Sequence, residues 1–189
     1  MSKLGVDLGL YENSGYQPGS FVKRIFWLLV SRLIFESRVP YPSFFKRRLL
    51  QIFGAKIGAG VVIKPSVKIK YPWFLCVGDH TWLGEKIWID NLVRVSIGSH
   101  CCVSQGAVLL TGNHNYRSKC FDLMVEPIVL KDGVWVGAQT VVCPGVVMEE
   151  CSVLVVGAVA TANCKSYAIY QGNPAQFKKN RVFSESCTS

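Results

Sequence analysis

The sequence lacks several features that would assign it to common classes of protein. The apolar stretch at residues 21–35 is too short and too charged to cross a bilayer, which requires about 20 apolar residues. Residues 1–20 contain no apolar core or cleavage site of a secretory signal, so we expect a cytoplasmic protein. None of the eight cysteines stands in the CxxC spacing of a metal site, and we expect free thiols.

Charge is also scarce, since 17% of the 189 residues are charged and 50% are hydrophobic. This composition excludes a disordered polymer and indicates one globular unit. The formal charge is nevertheless +9, with the cations concentrated in residues 1–54 and 165–181. Because the chain has no recognition-helix pattern, zinc finger or interleaved basic and aromatic motif, we expect no nucleic-acid partner. Phosphorylated cofactors and anionic membrane surfaces fit the charge better.

The main positive feature is an internal repeat of six residues. An aliphatic residue recurs at this interval, with a few longer steps, at Ile57, Ile63, Ile69, Val77, Leu83, Ile89, Ile97, Val103, Leu109, Leu130, Val136, Val142, Met148, Leu154 and Ala160. Four positions after most of them stands a small or β-branched residue, at Val61, Val67, Thr81, Ile87, Val93, Cys101, Ala107, Val134, Thr140, Val146, Ser152 and Ala158.

A period of six matches neither an amphipathic helix nor an isolated hairpin. It is typical of a triangular solenoid, in which each hexad forms one short strand and a corner. Three hexads make a coil of about eighteen residues, and stacked coils share one core. The steps from Ile69 to Val77 and from Ile89 to Ile97 are two residues longer than the repeat, which predicts bulges at two corners.

Three segments stand outside the repeat. We predict a helical cap, apolar and basic, at residues 1–55, a β-helix at 56–165 with a loop at 111–127, and a basic tail at 166–189. Residues 21–35 with Lys46, Arg47 and Arg48 carry apolar area and cations, which favours contact with an anionic membrane surface. The alternative is a helix that packs on the first coil as a cap.

Several motifs together resemble those of the trimeric hexapeptide-repeat acetyltransferases. They are the hexads, the TGNHNY loop, the GVWVGAQTVVCPGV segment and the closing QGNPAQ. The resemblance spans roughly residues 20–180 and is strongest to candidate colanic acid acetyltransferases of exopolysaccharide clusters, through segments such as FGAKIG and SQGAVLLTGNHNYRS. It implies an all-β, left-handed parallel β-helix with a short N-terminal helical segment.

The activity implied by the resemblance is transfer of acetyl from acetyl-CoA to a sugar hydroxyl in polysaccharide biosynthesis, without a metal. The acceptor is a sugar or a lipid-linked oligosaccharide. A homotrimer is expected, because the implied CoA track has no second wall inside one subunit.

In this reading His114 is the general base, since imidazole titrates near neutral pH. Similar enzymes often have Asp after this histidine, whereas Asn115 follows here, which leaves the partner that orients the ring open. The side chains implied at the acceptor are Asn91, Glu85, Asp122 and Trp135.

The resemblance also implies a track for acetyl-CoA along the solenoid axis. Its residues are Ser104, Ala138, Val156, Gly157 and Thr161, and the Ala138 N–H is the implied oxyanion donor. The adenine and phosphates would meet side chains of the closing segment, at Asn173, Lys178, Lys179 and Arg181.

Two other functions compete with the acetyltransferase. One is a non-catalytic scaffold of a glycan-assembly complex. The other is a metal enzyme like the γ-class carbonic anhydrases, but the three histidines are too widely spaced for that zinc site. His80 and His100 occupy equivalent hexad positions, so we expect their rings to stack on one corner.

Overall fold

The structure is a computed structural model that describes residues 5–184. Residues 1–4 of the predicted cap and 185–189 of the predicted tail lie outside the described residues. The chain begins with a 3₁₀ turn (Leu8–Leu10), α1 (Phe21–Val30), which continues as a π-helical turn (Ser31–Phe35), and α2 (Ser43–Ile52).

Short strands then wind through about six stacked coils. The first three coils contain β1 (Lys56–Ile57), β2 (Val62–Ile63), β3 (Lys68–Ile69), β4 (Leu75–Val77), β5 (Trp82–Leu83), β6 (Trp88–Asp90), β7 (Val95–Ile97), β8 (Cys102–Val103) and β9 (Val108–Leu110). A 3₁₀ turn (Pro72–Phe74) precedes β4.

A hairpin and the remaining coils follow. Their strands are β10 (Gly112–His114), β11 (Leu123–Val125), β12 (Ile128–Leu130), β13 (Trp135–Val136), β14 (Val141–Val142), β15 (Val147–Met148), β16 (Val153–Leu154), β17 (Val159–Ala160), β18 (Ala168–Gln171) and β19 (Gln176–Asn180).

The strands of the coils form three sheets, one for each side of a triangular prism, and β10 and β11 form a separate two-stranded sheet. The first sheet has the order β1-β4-β7-β12-β15, the second β19-β18-β16-β13-β8-β5-β2 and the third β17-β14-β9-β6-β3. We name the three edges the 1–2, 2–3 and 3–1 corners after the sheets that they join. All pairs between coils are parallel, which confirms the predicted all-β parallel solenoid with a short helical segment.

The register confirms the two predicted bulges. Ile57 pairs with Val77 and Val77 with Ile97, so each of the first two coils advances the chain by 20 residues. Leu130 pairs with Met148, so the coil after the hairpin advances it by 18. The first two coils each carry their two extra residues at the 3–1 corner. The hairpin leaves the solenoid at the same corner.

The core follows the six-residue period. All fifteen aliphatic repeat positions are buried, as are the second repeat positions with the exception of Val93. Val93 lies in a corner bulge and is only half-buried, while Val95 at the start of the next strand takes the core position. At these bulges the extra residues shift the inward-facing position along the chain.

The N-terminal helices close the open end of the first coil. The Trp27 Nε1–H donates to Ile69 O at 2.9 Å, and the Gln51 amide donates to Ile57 O at 3.0 Å. Lys46 is fully buried and its ammonium donates to Lys64 O at 3.0 Å; this burial lowers the pKa of Lys46. Without the cap, these carbonyls would form an exposed sheet edge.

For two residues of the predicted membrane surface the prediction was therefore wrong. Trp27 and Lys46 face the first coil, because the carbonyls at its edge need donors, and neither is accessible to a membrane. The outward side of the cap remains exposed and apolar. Within residues 5–184, none of the helices combines the length and apolar character needed to span a bilayer.

The far end of the solenoid is closed by a hairpin of the chain itself. β18 extends the second sheet in parallel with β16, and β19 folds back antiparallel on β18. The start of the predicted tail at residue 166 is therefore not a structural boundary, since residues 168–171 belong to the sheet. The seven cysteines between residues 5 and 184 are free thiols.

The cap offers a matched pair of substitutions that tests its contribution to stability. Leu50 is fully buried against the first coil, whereas Ile52, two residues further along α2, is 75% exposed. We expect Leu50→Ala to lower the free energy of unfolding by about 2–5 kcal/mol, and Ile52→Ala by less than about 0.5 kcal/mol. Urea unfolding measures both, and equal effects would show that α2 does not pack as described.

Candidate active site

A β-hairpin at the 3–1 corner carries the predicted catalytic histidine. Its strands β10 and β11 pair antiparallel, with His114 opposite Leu123. The hairpin occupies the predicted loop 111–127, and the parallel ladder continues directly from Val95 to Ile128 beneath it. The insertion therefore projects a side chain outward without breaking the stack of coils.

Phe121 fixes the orientation of the His114 ring. The two rings stack with centroids 4.3 Å apart and planes 6° apart, and His114 Nδ1 lies 2.8 Å from the Phe121 carbonyl oxygen. Phe121 has a φ of +53°, a left-handed conformation that is costly for a large side chain. Since a carbonyl only accepts, the neutral imidazole donates from Nδ1 and keeps Nε2 as its acceptor nitrogen.

The N-terminal segment covers the other side of this histidine. The Tyr11 ring lies 5.6 Å from the His114 ring at an angle of 59°, and the Asp7 N–H donates to Lys119 O at 2.9 Å. Tyr11 was not predictable from the sequence, because more than 100 residues separate it from His114 and no local pattern joins them. Phe121 was also missed, although its place inside the loop offered a signal.

Asp122 lies in the same hairpin as His114. Its side chain is exposed, and its carbonyl accepts from the Asn115 N–H at 2.9 Å across the turn. Of the four predicted acceptor residues, Asp122 is the one that belongs to the same hairpin as His114.

Asn91 was predicted to contact the acceptor, but its side chain is buried and unavailable. It is fully buried at the 3–1 corner, where its amide accepts from the Tyr71 N–H at 3.0 Å and donates to Tyr71 O at 2.6 Å. Both polar groups of the amide thus bridge the first two coils across the wide corner. This arrangement leaves Asn91 no surface with which to contact a sugar.

Trp135 lies on the outward side of the second sheet, and Glu85 lies at the 2–3 corner in the turn after β5. The Trp135 indole donates to Ser104 Oγ at 3.0 Å, and both residues belong to neighbouring coils of that sheet. Ser104 and Glu85 line a groove of about 530 Å³ together with Trp82. The exposed Trp82 indole beside Glu85 and Ser104 gives this groove a flat apolar wall with hydrogen-bonding groups.

Most of the remaining residues predicted on the acetyl-CoA track follow the 2–3 corner toward the end of the solenoid. The Gly157 N–H donates to Ala138 O at 2.9 Å, which joins the fourth and fifth coils. Among residues 5–184, the Ala138 N–H finds no acceptor. Val156 is exposed beside Gly157, and Asn173 lies in the next turn along the same corner.

Two residues of the implied track have other surroundings. Thr161 is exposed at the 3–1 corner, at the opposite edge of the third sheet from Gly157. Arg181 donates to the carbonyls of Gly133 and Cys151 at 3.1 and 3.2 Å, so its guanidinium secures the tail to the solenoid. Lys179 on β19 is exposed and stays available for phosphate, as does Lys178.

The site residues therefore form two groups on different sides of one chain. The His114 hairpin leaves at the 3–1 corner, whereas Trp135 and Ala138 lie on the second sheet and at the 2–3 corner. The chain takes five residue steps from Ala138 to Cys143 to cross the third sheet between these corners, on the order of 16 Å. Within one copy of the chain, His114 is therefore separated from the Ala138 N–H at the 2–3 corner.

No protein-family model matches the chain. The candidate colanic acid biosynthesis acetyltransferase WcaF of Escherichia coli K12 is 34% identical over 177 residues, which cover 94% of this chain and 97% of that protein. The chain belongs to the hexapeptide-repeat acetyltransferases. This membership confirms the predicted acetyltransferase class.

Solved structures share the fold of this acetyltransferase. A hexapeptide-repeat acetyltransferase of Vibrio cholerae, complexed with acetyl coenzyme A, superimposes with a TM-score of 0.78 at 19% identity, covering 86% of this chain and 88% of the other. A galactoside acetyltransferase in complex with coenzyme A gives a TM-score of 0.75 at 20% identity, covering 84% and 80%. The shared fold confirms the left-handed parallel β-helix.

The two remaining histidines of the acetyltransferase stack as predicted. The rings of His80 and His100 lie 5.3 Å apart with planes 20° apart, at the 1–2 corner. Both have left-handed φ values, 54° and 56°, which point successive side chains along the same edge. Nowhere in residues 5–184 do three or more His, Cys, Asp or Glu residues stand close enough to hold a metal ion.

Tyr11 allows a test of how far the N-terminal segment positions His114. An aromatic pair contributes about 0.5–1.5 kcal/mol, so Tyr11→Ala should lower kcat of acetyl transfer by up to about tenfold. Tyr116→Ala is the matched control, because Tyr116 belongs to the same hairpin but is 74% exposed. Steady-state kinetics measures both variants, and equal losses would remove Tyr11 from the site.

Proposed function

We propose that this acetyltransferase moves the acetyl group of acetyl-CoA to a hydroxyl of a sugar used in exopolysaccharide or capsule biosynthesis. The orientation of His114 carries the proposal, because its Nδ1 bond leaves Nε2 ready to accept a proton. The acetyl donor is supported by the similar Vibrio cholerae structure that holds acetyl coenzyme A, and the pathway by the similar Escherichia coli acetyltransferase of colanic acid biosynthesis.

The chemistry needs one base and one oxyanion donor. His114 Nε2 removes the proton of the sugar hydroxyl as its oxygen attacks the thioester carbon. The Ala138 N–H donates to the oxygen that becomes negative, and as a fixed backbone dipole it needs little reorganisation. When the C–S bond breaks, the imidazolium returns the proton to the CoA sulfur, which leaves His114 neutral for the next cycle.

The other predicted residues receive roles from their positions. Asp122, Glu85 and Trp135 contact the acceptor, with Asn91 excluded because it is buried. Ser104, Val156 and Gly157 flank the pantetheine at the 2–3 corner of one subunit, and Thr161 reaches it from the 3–1 corner of the neighbouring subunit. Asn173 and Lys179 meet the adenine and phosphates.

The separation of the two groups supports a homotrimer. The oriented His114 of one subunit must meet the Ala138 corner of another, since one chain holds them on different sides. A head-to-tail contact of this kind repeats around a threefold axis and closes into a ring. Each trimer then has three active sites, one at each interface between subunits.

The exposed side of the cap supports contact with an anionic membrane from the cytoplasmic side. Val22, Phe26, Leu29 and Leu33 follow one helical stripe and are 54–68% exposed. Cations at the same end of the molecule attract anionic headgroups, each by about 1 kcal/mol.

A mixing experiment tests the base and the trimer together. We expect His114→Ala to lower kcat by about 10²–10⁴-fold, with unchanged binding of CoA, because a positioned base supplies a factor of that size. Val156→Glu should instead block binding of the pantetheine at the 2–3 corner. If the two groups act across an interface, trimers assembled from equal amounts of both variants should regain about a quarter of wild-type activity, since a quarter of the interfaces carry both intact groups.

The controls are each variant alone, whose thermal unfolding should match the wild type. Mixed trimers without activity would show that the two groups act within one chain, and activity of either variant alone would show that the group it changes plays no part. A His114→Ala variant that binds CoA and retains more than half of kcat would show that His114 is not the base.

Sedimentation with vesicles tests the membrane contact. We expect binding to anionic vesicles to weaken about tenfold or more in the Arg47→Gln/Arg48→Gln variant, and to be lost in 0.5 M salt. The control Lys131→Gln removes an exposed cation from the fourth coil, three coils away from the cap. Binding that resists salt and both variants, or no binding, would leave the helices as a cap alone.

A further inference from the structure

A groove of about 290 Å³ runs between α1 and the first coil, apart from the residues that the proposed reaction uses. One wall consists of Phe21, Ile25 and Leu28, which follow each other at helical spacing and are all exposed. The opposite wall consists of Lys68 and Lys70 on and beside β3. The groove thus combines an apolar side with a cationic side.

The charges in the groove do not cancel. Arg32 pairs with Glu36 at 3.0 Å, and Lys70 pairs with Asp90 at 2.9 Å, so these four side chains are neutral as pairs. Two cations remain, Arg24 and Lys68, and the Lys68 ammonium lies 4.5 Å from the Trp88 ring centre.

Arg24 has an unmet bonding requirement in this groove. Its Nε is buried, and no atom of residues 5–184 accepts a hydrogen bond from it. A buried donor without an acceptor costs about 1–3 kcal/mol, which a bound anion would offset. The guanidinium lies 5.7 Å from the Phe21 ring, so the anion would sit where the cationic and apolar sides meet.

The groove is aligned with the His114 hairpin. Lys70 stands at the end of β3 at the 3–1 corner, Asp90 occupies the same place one coil further, and Leu110 the next. The hairpin begins directly after Leu110, with β10 at Gly112. Since adjacent strands lie about 4.8 Å apart, the base of the hairpin is about 10 Å from the groove along one corner.

We propose that this groove binds the phosphate of a lipid-linked acceptor, a phosphate that joins a sugar to a long hydrocarbon chain. The proposal rests on the proposed function. Arg24 and Lys68 hold the phosphate, and the first hydrocarbon units lie on Phe21, Ile25 and Leu28. The chain then continues over the exposed stripe of α1 into the membrane, while the sugar extends along the 3–1 corner toward His114.

Farnesyl diphosphate is a soluble probe with both parts of this ligand, and the full chain can be titrated with it by calorimetry. We expect it to bind at least about tenfold more tightly than inorganic diphosphate or farnesol, because only the whole probe uses both sides of the groove. Arg24→Gln should weaken binding about tenfold or more, since hydrogen bonds to charged groups are the stronger ones. Lys68→Gln should weaken it several-fold.

Arg48→Gln is the matched control, because it removes the same charge from the same cap outside the groove. Equal losses in Arg24→Gln and Arg48→Gln, or no loss in folded Arg24→Gln and Lys68→Gln, would overturn the proposal. Competition by short-chain phosphatidylglycerol at the same concentration as the probe would also overturn it, since the groove would then bind membrane headgroups.

Acetyl transfer to a soluble sugar separates this proposal from the function on which it rests. Arg24→Gln should transfer acetyl to such a sugar at the wild-type rate while it loses activity on a lipid-linked acceptor. Equal rates of Arg24→Gln and wild type on the lipid-linked acceptor would sink the groove assignment. A wild-type protein that binds farnesyl diphosphate but transfers no acetyl to either acceptor would contradict the proposed function instead.

Discussion

Backbone hydrogen bonds between successive coils hold every other feature of this molecule in place. In the second sheet, for example, the Val62 N–H donates to Thr81 O and the Trp82 N–H to Cys101 O, both at 2.9 Å. The strands of the coils are two to four residues long and would not persist alone, so each depends on the coils above and below. The ladder must also end somewhere, which explains why Lys46 is buried at one end and β19 folds back at the other.

The same ladder leaves the corners free to vary. A corner needs only to return the chain to the next strand in register, so the 3–1 corner accommodates two-residue bulges in two coils and a whole hairpin in the third. His114 gains its precise orientation inside that hairpin, from Phe121, and not from the coils. Rigidity and chemistry are thus assigned to different parts of the chain, with the coils as the fixed support.

The fold was predictable because one period recurs through most of the chain. Every aliphatic repeat position from Ile57 to Ala160 is buried, and the longer steps marked the bulges. Single polar residues were harder, since a polar residue near a corner has the same sequence signature whether it faces solvent or bridges coils. Asn91 bridges coils, and its role depends on the backbone of Tyr71, which no local pattern connects to it.

Contacts over long sequence separation were out of reach for a related reason. Tyr11 meets His114 only because the N-terminal segment passes along the 3–1 corner, where the Tyr16 hydroxyl donates to Leu92 O at 2.6 Å. Lys46 lies in a run of cations that is normally solvated, and its burial follows from the unpaired carbonyls of the first coil. Neither the Tyr11 contact nor the burial of Lys46 is marked by a periodic pattern in the sequence, whereas the core residues are.

The cap at the start of the solenoid also gives synthesis a direction. The helices that close the first coil leave the ribosome before that coil does, so the residues that donate to its open edge are present when the earliest strands emerge. Each later coil then adds to a growing edge, and only the newest edge is open to pairing with another chain. The closing hairpin emerges last and removes that edge, so exposure to aggregation is confined to the minutes or less during which the chain is being made.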